Sequence, residues 1–200
     1  GLRFDDITLA GFHEKPDPAS PEITLLSPAT APKPYYSEVG LIGAEGVKLP
    51  TATTVWTADT ADATLTDKSP LTVHWDNGEG LRFTRKISVD EDFMFTVEQT
   101  VENAGEKAVS LYPYGLVARL DTPKTQGFYI LFEGPLGVFG GTKTEMKYDD
   151  LKKKGRETFE STGGWVGITD KYWLATVALD QAVKVNATIS HTMAGDRDRY

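Results

Sequence analysis

Apolar and polar residues alternate at every second position through most of the chain. In the clearest stretch, Leu81, Phe83 and Ile87 fall on one face of an extended segment, as in a half-buried strand. Residues 71–75 alternate in the same way, and residues 76–80 between them include types that tolerate positive φ. The pattern therefore predicts a β-hairpin over residues 71–87.

A second alternating run places Phe93, Phe95, Val97 and Val101 on one side. The polar residues 103–106 follow it, so we expect a second hairpin whose return strand begins near residue 108. Seven further runs rich in β-branched and aromatic residues are predicted strands: 23–26, 35–42, 53–57, 128–132, 165–168, 172–179 and 183–189.

Helix signals are scarce. Residues 146–154 combine good helix formers with a basic end, and Gly155 follows as a stop signal. Prolines interrupt residues 16–34 except at 23–26, which predicts a long loop or an edge strand there. Many short strands joined by Gly, Pro and Asn turns favour a mainly all-β fold of two packed antiparallel sheets with one short helix.

Length and composition fit one globular domain. Hydrophobic residues make up 40% and charged residues 25% of the 200 positions, which is enough for one sizeable core. We therefore expect residues 1–200 to form a single β-sandwich domain, cut from a longer protein. The polar residues 190–200 carry no closing element in this pattern, so we expect a fragment boundary or a mobile tail there.

Charge and cysteine content exclude several classes of function. The formal net charge is -8 and the pI about 4.9, and the one dense basic run, residues 152–154, directly follows Asp149 and Asp150. A nucleic-acid partner is therefore disfavoured, because phosphates need clustered cations. The chain has no cysteine, hence no disulfide and no thiolate metal site. It also lacks an apolar stretch of about 20 residues that could span a membrane.

No catalytic or metal site is apparent. The three histidines, His13, His74 and His191, lack metal-binding spacing, and no serine lies in a Gly-x-Ser-x-Gly elbow. Glu133 or Asp121 could pair with another acid as in glycosidases, but the sequence does not give the separation which that mechanism needs. We expect no cofactor, no metal and no enzymatic activity.

Aromatic residues give the one positive functional signal. Trp165, Tyr172 and Trp173 fall within nine residues, and exposed aromatics can stack on sugars or anchor a protein partner. Alternation places Tyr172 and Trp173 on opposite faces of their strand, so at most one of the two joins a given core face. The glycine-rich residues 134–141 and 162–165 lack the pattern of a phosphate loop and indicate turns and close strand packing.

Three segments resemble one known family. Residues 161–175, STGGWVGITDKYWLA, resemble the Gly-Gly-Trp and Lys/Gln-Tyr-aromatic signature of the large periplasmic domain of YidC membrane insertases. Residues 101–107 resemble that family's Asn-x-Gly hairpin, and residues 83–87 its preceding strand. Residues 1–9 are similar to an early strand of the family, with Leu2 and Arg3 replacing a glycine and its neighbour.

The resemblance implies a β-supersandwich similar to galactose mutarotase, on the periplasmic face of the inner membrane of a Gram-negative bacterium. It also implies a parent that inserts membrane proteins alone or with the Sec translocon, so that the partners are SecYEG, SecDF and nascent membrane proteins. The membrane-spanning insertase core of that family has no counterpart in these residues.

Three functional hypotheses follow. The first is a non-catalytic docking or scaffold domain of an insertase. The second is a carbohydrate-binding or carbohydrate-modifying protein, with aromatic contacts from Trp165, Tyr172 and Trp173. The third is a chaperone-like strand edge near Asn103 and Gly105 that pairs with translocating polypeptide. Together these five residues are the candidate binding residues.

Overall fold

The computed structural model describes residues 2–125 and 131–200. These residues fall into two compact units by their contacts. The smaller unit comprises residues 41–113, and the larger unit comprises residues 2–40 and 114–200.

Seventeen strands and one helix are assigned in the described residues. The strands of the first half are β1 Leu2–Phe4, β2 Ile7–His13, β3 Glu22–Leu26, β4 Tyr35–Gly43, β5 Thr57–Ala58, β6 Leu71–Asp76, β7 Leu81–Val89 and β8 Phe95–Asn103. They are followed by β9 Leu111–Arg119, β10 Gly134–Phe139, β11 Thr142–Glu145, helix α1 Tyr148–Lys154, β12 Arg156–Thr162, β13 Trp165–Thr169, β14 Leu174–Ala178, β15 Lys184–Ser190, β16 Thr192–Ala194 and β17 Arg197–Arg199. The prediction of a mainly antiparallel β fold with one short helix is confirmed.

The smaller unit contains a four-stranded sheet in the order β5-β6-β7-β8. Its central hairpin, β6–β7, is the one that alternation predicts, with Trp75 opposite Phe83 and their rings 5.5 Å apart. Asn77 closes the turn because its buried side-chain oxygen accepts the backbone N–H groups of Glu79 at 2.7 Å and Leu81 at 3.0 Å. Phe83, the third residue of β7, is only 2% exposed.

The predicted second hairpin is wrong. β8 pairs with β7 across the turn at residues 90–94, and β9 belongs instead to a sheet with β1 and β4. Alternation predicts that a segment is a strand, but it carries no information on which strand is its neighbour. The expected common face also breaks down at the start of β8: Val97 and Val101 are half-buried, whereas Phe93 and Phe95 are exposed.

Two sheets of the larger unit are in contact, β1-β4-β9 and β11-β10-β13-β14. The buried Tyr35 of β4 donates its hydroxyl to the backbone oxygen of Ile168 in β13 at 2.9 Å. Gly115 of β9 lies against Val177 of β14, where a Cβ atom would overlap the valine. Three two-stranded pairs, β2–β3, β12–β15 and β16–β17, complete the described part of this unit. The core of the unit consists of Leu26, Tyr35, Phe139, Met146, Tyr148, Leu151, Ile168, Ile189 and Tyr200.

Helix α1 begins two residues later than predicted and ends where the sequence places its stop. Asp149 and Asp150 lie in its first turn and three lysines lie in its last, as the helix dipole favours. Gly155 follows with φ of +81°, and its N–H donates to the Leu151 oxygen at 2.8 Å. Leu151 is fully buried. This helix is far shorter than a membrane span, and the described residues contain no other.

The prediction that residues 190–200 end without a closing element is wrong. β16 and β17 form a hairpin, and Tyr200 is buried and exchanges two backbone hydrogen bonds with Arg119, of 2.9 and 3.0 Å. Charged side chains hold the hairpin in place: Asp198 accepts hydrogen bonds from His191 and Thr122 and forms an ion pair with Lys152. The polar composition that indicates a tail therefore provides the contacts that order it.

Other strand predictions differ in outcome. The runs at 23–26, 35–42, 165–168, 172–179 and 183–189 correspond to β3, β4, β13, β14 and β15. The run at 53–57 contributes only the first residue of β5. Of the run at 128–132, residues 128–130 lie outside the described residues, and residues 131–132 carry no strand assignment. The glycine-rich residues 134–141, predicted as turns and close strand packing, form β10 and the turn at residues 140–141 that leads into β11. β11 and β12 have no counterpart among the predicted strands.

Candidate functional site

The turn between β13 and β14 presents two of the predicted aromatic residues. Its geometry is set by the Asp170 N–H, which donates to the Trp173 oxygen at 2.8 Å. Tyr172 is 73% exposed, whereas Trp173 is half-buried. Lys171 lies beside this surface, with its Nζ 4.8 Å from the Tyr172 ring centroid.

Phe12 joins this surface although it lies far away in the sequence. The pairing of β2 with β3 shifts register between Leu9 and His13, and Gly11 in this interval has φ of +81°. The irregularity leaves Phe12 47% exposed, with its ring edge-on to Trp173 and the centroids 5.2 Å apart. We call Phe12, Tyr172 and Trp173 the aromatic corner. Sequence reasoning misses Phe12 because the bulge leaves no signal besides a glycine.

A buried ion pair fixes the root of the β13–β14 turn. Arg119 donates two hydrogen bonds to the carboxylate of Asp170, at 2.6 and 2.5 Å, and a third to the Tyr148 hydroxyl at 3.2 Å. Its guanidinium also lies 3.9 Å from the Tyr35 ring centroid. Burial lowers the pKa of Arg119, but the hydrogen bonds to Asp170 and the nearby tyrosines outweigh it, so that the pKa is raised overall. Arg119 therefore stays charged and holds the turn rigid.

Trp165 lies apart from the aromatic corner. It is opposite Ala178 in the β13–β14 pair, so Trp173 is five residues further along the hairpin, roughly 17 Å away. The three aromatics that are close in sequence thus do not form one cluster. Trp165 instead lines a cavity of about 350 Å³ in the larger unit.

The cavity lies among β9, β13, β14 and β15. Apolar groups such as Val117, Val177 and Val185 line it, together with Asn186 and Arg199. Among the residues that the structure describes, no Asp, Glu or His lines the cavity. Proton transfer in sugar chemistry needs an acid and a base that face each other across the substrate, and this lining does not supply such a pair.

The three histidines and Asp121 all have local partners. His13 Nδ1 lies 2.7 Å from the Ser20 oxygen, His74 Nδ1 lies 2.8 Å from Asp59, and His191 Nε2 lies 2.8 Å from Asp198. Asp121, considered above as half of a glycosidase pair, is bound by Arg197, which lowers its pKa. No group of three or more His, Asp or Glu side chains in residues 2–125 and 131–200 could hold a metal ion.

Asn103 is the last residue of β8 in the smaller unit, and Gly105 lies in the loop that follows. The Asn103 side chain donates to the Lys107 oxygen at 2.8 Å and accepts the Gly105 N–H at 2.9 Å. The Ala104 N–H donates to the Gly80 oxygen at 2.8 Å, which joins this loop to the β6–β7 turn. Asn103 thus organises its own loop, while β8 lies at the edge of its sheet in the described residues.

Comparison with known proteins decides the family. A family model described as the YidC periplasmic domain matches residues 1–199. The chain belongs to the YidC periplasmic domain family. Relatives named membrane protein insertase YidC include those of Methylobacterium nodulans, 51% identical, Methylobacterium sp. strain 4-46, 49% identical, and Rhizobium etli, 46% identical, each over 100% of this chain.

The chain spans about a third of the length of these relatives, between 33% and 34%. The resemblance carried by residues 161–175, 101–107 and 83–87 is thereby confirmed, and so is the periplasmic location that it implies. In the structure, the Gly-Gly-Trp part of the YidC signature forms the entry to β13. Gly164 has φ of +94° and lies so close to the Val138 oxygen that a side chain would overlap it.

Proposed function

We propose that this YidC periplasmic domain is a non-catalytic docking or scaffold domain of a membrane protein insertase, which works with or without the Sec translocon. Its partners are the Sec components SecYEG and SecDF and, through the parent protein, nascent membrane proteins. The observation that carries the proposal is the aromatic corner, in which Phe12, Tyr172 and Trp173 are held at the surface by a bulge and a braced turn.

Protein interfaces obtain most of their affinity from a few aromatic anchors that are fixed before binding. Tyr172 is exposed and Phe12 is close to half exposed. The turn that carries Tyr172 is closed by the hydrogen bond from the Asp170 N–H to the Trp173 oxygen, and Gly11 beside Phe12 donates its N–H to the Glu22 carboxylate. The ion pair of Arg119 and Asp170 lies directly behind the turn, so little conformational freedom remains to be lost on docking.

The chemistry of the described residues supports a role without catalysis. The cavity has no acid–base pair in its described lining, and each histidine is engaged by a neighbouring carbonyl or carboxylate. Binding surfaces need exposed anchors, whereas bond-making needs titratable groups that converge on a reactant.

Site-specific photo-crosslinking in the full-length insertase tests the docking role. A photoreactive residue at Tyr172 is expected to give adducts with Sec components or nascent chains in native membranes. Thr158 is the matched control, because it is exposed on β12 and lies outside the aromatic corner. Equal adducts from both positions, or no protein adduct from Tyr172, would contradict the proposal.

Deletion tests whether the role is auxiliary. Replacing residues 2–200 by a flexible linker in the full-length insertase is expected to spare basal insertion of a Sec-independent substrate and to reduce co-purification of Sec components. Abolished insertion of every substrate, with the membrane helices still folded, would show that the domain does more than dock.

One observation favours a carbohydrate-binding function as the second candidate. Trp165 lines a cavity of about 350 Å³ with Asn186 and Arg199, which combines a stacking surface with hydrogen-bonding groups. Calorimetry against a panel of oligosaccharides separates the two functions. Millimolar or tighter binding that is lost in Trp165→Ala would favour this candidate over docking, and uniform absence of binding would remove it.

A further inference from the structure

The turn between β7 and β8, together with the first residue of β8, exposes three consecutive apolar side chains. Phe93 is 67% exposed, Met94 62% and Phe95 36%. Single exposed apolar residues are common on protein surfaces, but an uninterrupted run of three with two aromatic rings is typical of a contact site. We call these three residues the apolar tip.

The backbone that carries the apolar tip is well ordered. The Asp90 carboxylate accepts the N–H groups of Asp92 at 3.0 Å and of Met94 at 2.9 Å. The Asp90 N–H donates to the Met94 oxygen at 3.1 Å, and the Phe93 N–H donates to the Asp90 oxygen at 3.2 Å. The side chains therefore project from a preformed turn, which reduces the entropy lost on binding.

Folding alone does not account for phenylalanine at position 93. Its φ is +64°, a region that glycine adopts freely and that is unfavourable for a bulky side chain. Its ring is mostly in solvent, so burial does not compensate for the backbone. The unfavourable backbone conformation would be offset if the Phe93 ring were buried in a contact outside the described residues of this chain.

The charges around the apolar tip define what that contact is. Asp90, Glu91 and Asp92 directly precede it, and no lysine or arginine occurs from residue 87 to residue 106. An anionic lipid surface would be repelled, and so would a second copy of this chain, whose net charge is -8. A protein surface with basic residues around an apolar pocket complements both features.

We propose that the apolar tip inserts into an apolar pocket of another protein whose rim carries lysine or arginine facing Glu91 and Asp92. This inference rests on the docking role proposed above, and it adds a second surface and the chemistry of the partner. Asp90 shapes the turn, Glu91 and Asp92 orient the approach, and Phe93 with Met94 fills the pocket.

Crosslinking in the full-length insertase, in native membranes, tests this surface. A photoreactive residue at Met94 is expected to give a protein adduct whose crosslinked site, mapped by mass spectrometry, is apolar and flanked by lysine or arginine. Charge reversal by Glu91→Lys with Asp92→Lys is expected to lower the adduct yield at least about tenfold, since like charges then meet across the interface. The matched control, Glu45→Lys with Glu79→Lys, makes the same charge change at exposed positions outside the turn and is expected to leave the yield unchanged; Glu79 lies in the β6–β7 turn, at the other end of the sheet.

Adducts with lipid or with a second copy of the chain, an absence of any adduct, or a yield that charge reversal does not change would each overturn the proposal. Phe93→Gly provides a second test that keeps the turn folded, and it is expected to lower the yield while raising the melting temperature. If adducts from Tyr172 persist when those from Met94 fail, the docking role stands and this surface is wrong. If both fail, the docking role fails as well.

Discussion

Phe93 has a backbone conformation that favours glycine, with φ of +64°, while its ring is 67% exposed. Phe93→Gly removes a conformational penalty of about 1–2 kcal/mol and loses little burial. Glycine also gains freedom in the unfolded chain, which offsets about 0.5–1 kcal/mol. We therefore expect the free energy of unfolding to rise by about 0.5–1 kcal/mol in urea denaturation. Met94→Gly, at an equally exposed neighbour without positive φ, should lower it, and stabilisation by both variants would contradict this account.

Asp198 makes the stability of the chain depend on acid pH. The hydrogen bonds from Lys152 and then His191 lower its pKa from 3.8 to about 2. Because the folded state favours the charged form, the contribution is fully present above the unfolded pKa near 3.8. It is lost as pH falls through the folded value near 2. We expect the difference in urea midpoint between the chain and Asp198→Asn to be constant above about pH 4 and to shrink towards about pH 2. Parallel curves over that range would contradict the assignment.

At the scale of elements, the sequence predicts which segments are strands more reliably than which strands pair with each other. The β6–β7 hairpin can be predicted because five turn-forming residues separate two alternating runs. β8 alternates equally well, but its neighbour is β7, and the loop after Asn103 leads to another sheet. β16 and β17 escape prediction because their three-residue strands are held by ion pairs of Asp198 with Lys152 and of Arg197 with Asp121, and not by an apolar face.

The candidate site follows the same pattern. The sequence predicts Tyr172 and Trp173 as neighbouring aromatics of which at most one joins a given core face, and Tyr172 is the exposed one. The contact of Trp173 with Phe12, and the distance of Trp173 from Trp165, depend on the β2 bulge and on the register of β13 with β14. Neither of these has a signature in composition or periodicity.

Removal of Asp170 should loosen the β13–β14 turn. Asp170→Ala would leave the guanidinium of Arg119 buried without its carboxylate, which costs about 3–5 kcal/mol for fully buried pairs. Asp170 is 29% exposed, so water compensates in part and we expect a loss of about 2 kcal/mol. Thermal and urea unfolding measure this loss. Lys143→Ala, which breaks a surface pair with Glu145, is the control and should change stability by less than about 0.5 kcal/mol. Equal losses from both variants would contradict a bracing role for Arg119.

The Gly-Gly-Trp signature also has a structural explanation that can be tested. Gly164 has φ of +94°, and a Cβ there would overlap the Val138 oxygen on the neighbouring strand. Gly164→Ala is therefore expected to cost about 3 kcal/mol or more in unfolding free energy, from backbone strain together with displacement of β10. Gly140→Ala is the matched control, because Gly140 also has positive φ but has open space where a Cβ would lie. It should lower the free energy of unfolding by only about 1 kcal/mol. Similar losses at both positions would show that φ alone requires the glycine.

At the scale of the whole chain, charge limits which surfaces it can bind. The net charge of -8 is spread over a surface that also exposes the aromatic corner and the apolar tip. Apolar side chains of this kind could enter a lipid interface if cations surrounded them. Because acids precede the apolar tip, binding to an anionic membrane is opposed and binding to a basic protein surface is favoured.

We therefore expect the 200-residue chain to remain unbound in co-sedimentation with vesicles, whether or not they contain anionic phospholipid. Glu91→Lys with Asp92→Lys keeps the apolar tip and replaces its acidic flank with cations. This variant should gain measurable binding to the anionic vesicles only, because two added cations contribute about 1 kcal/mol each near such a surface. The control variant Glu45→Lys with Glu79→Lys has the same net charge and should gain less, since no run of exposed apolar residues adjoins those positions. Binding of the unmodified chain to anionic vesicles would show that the acidic flank does not direct the apolar tip towards protein.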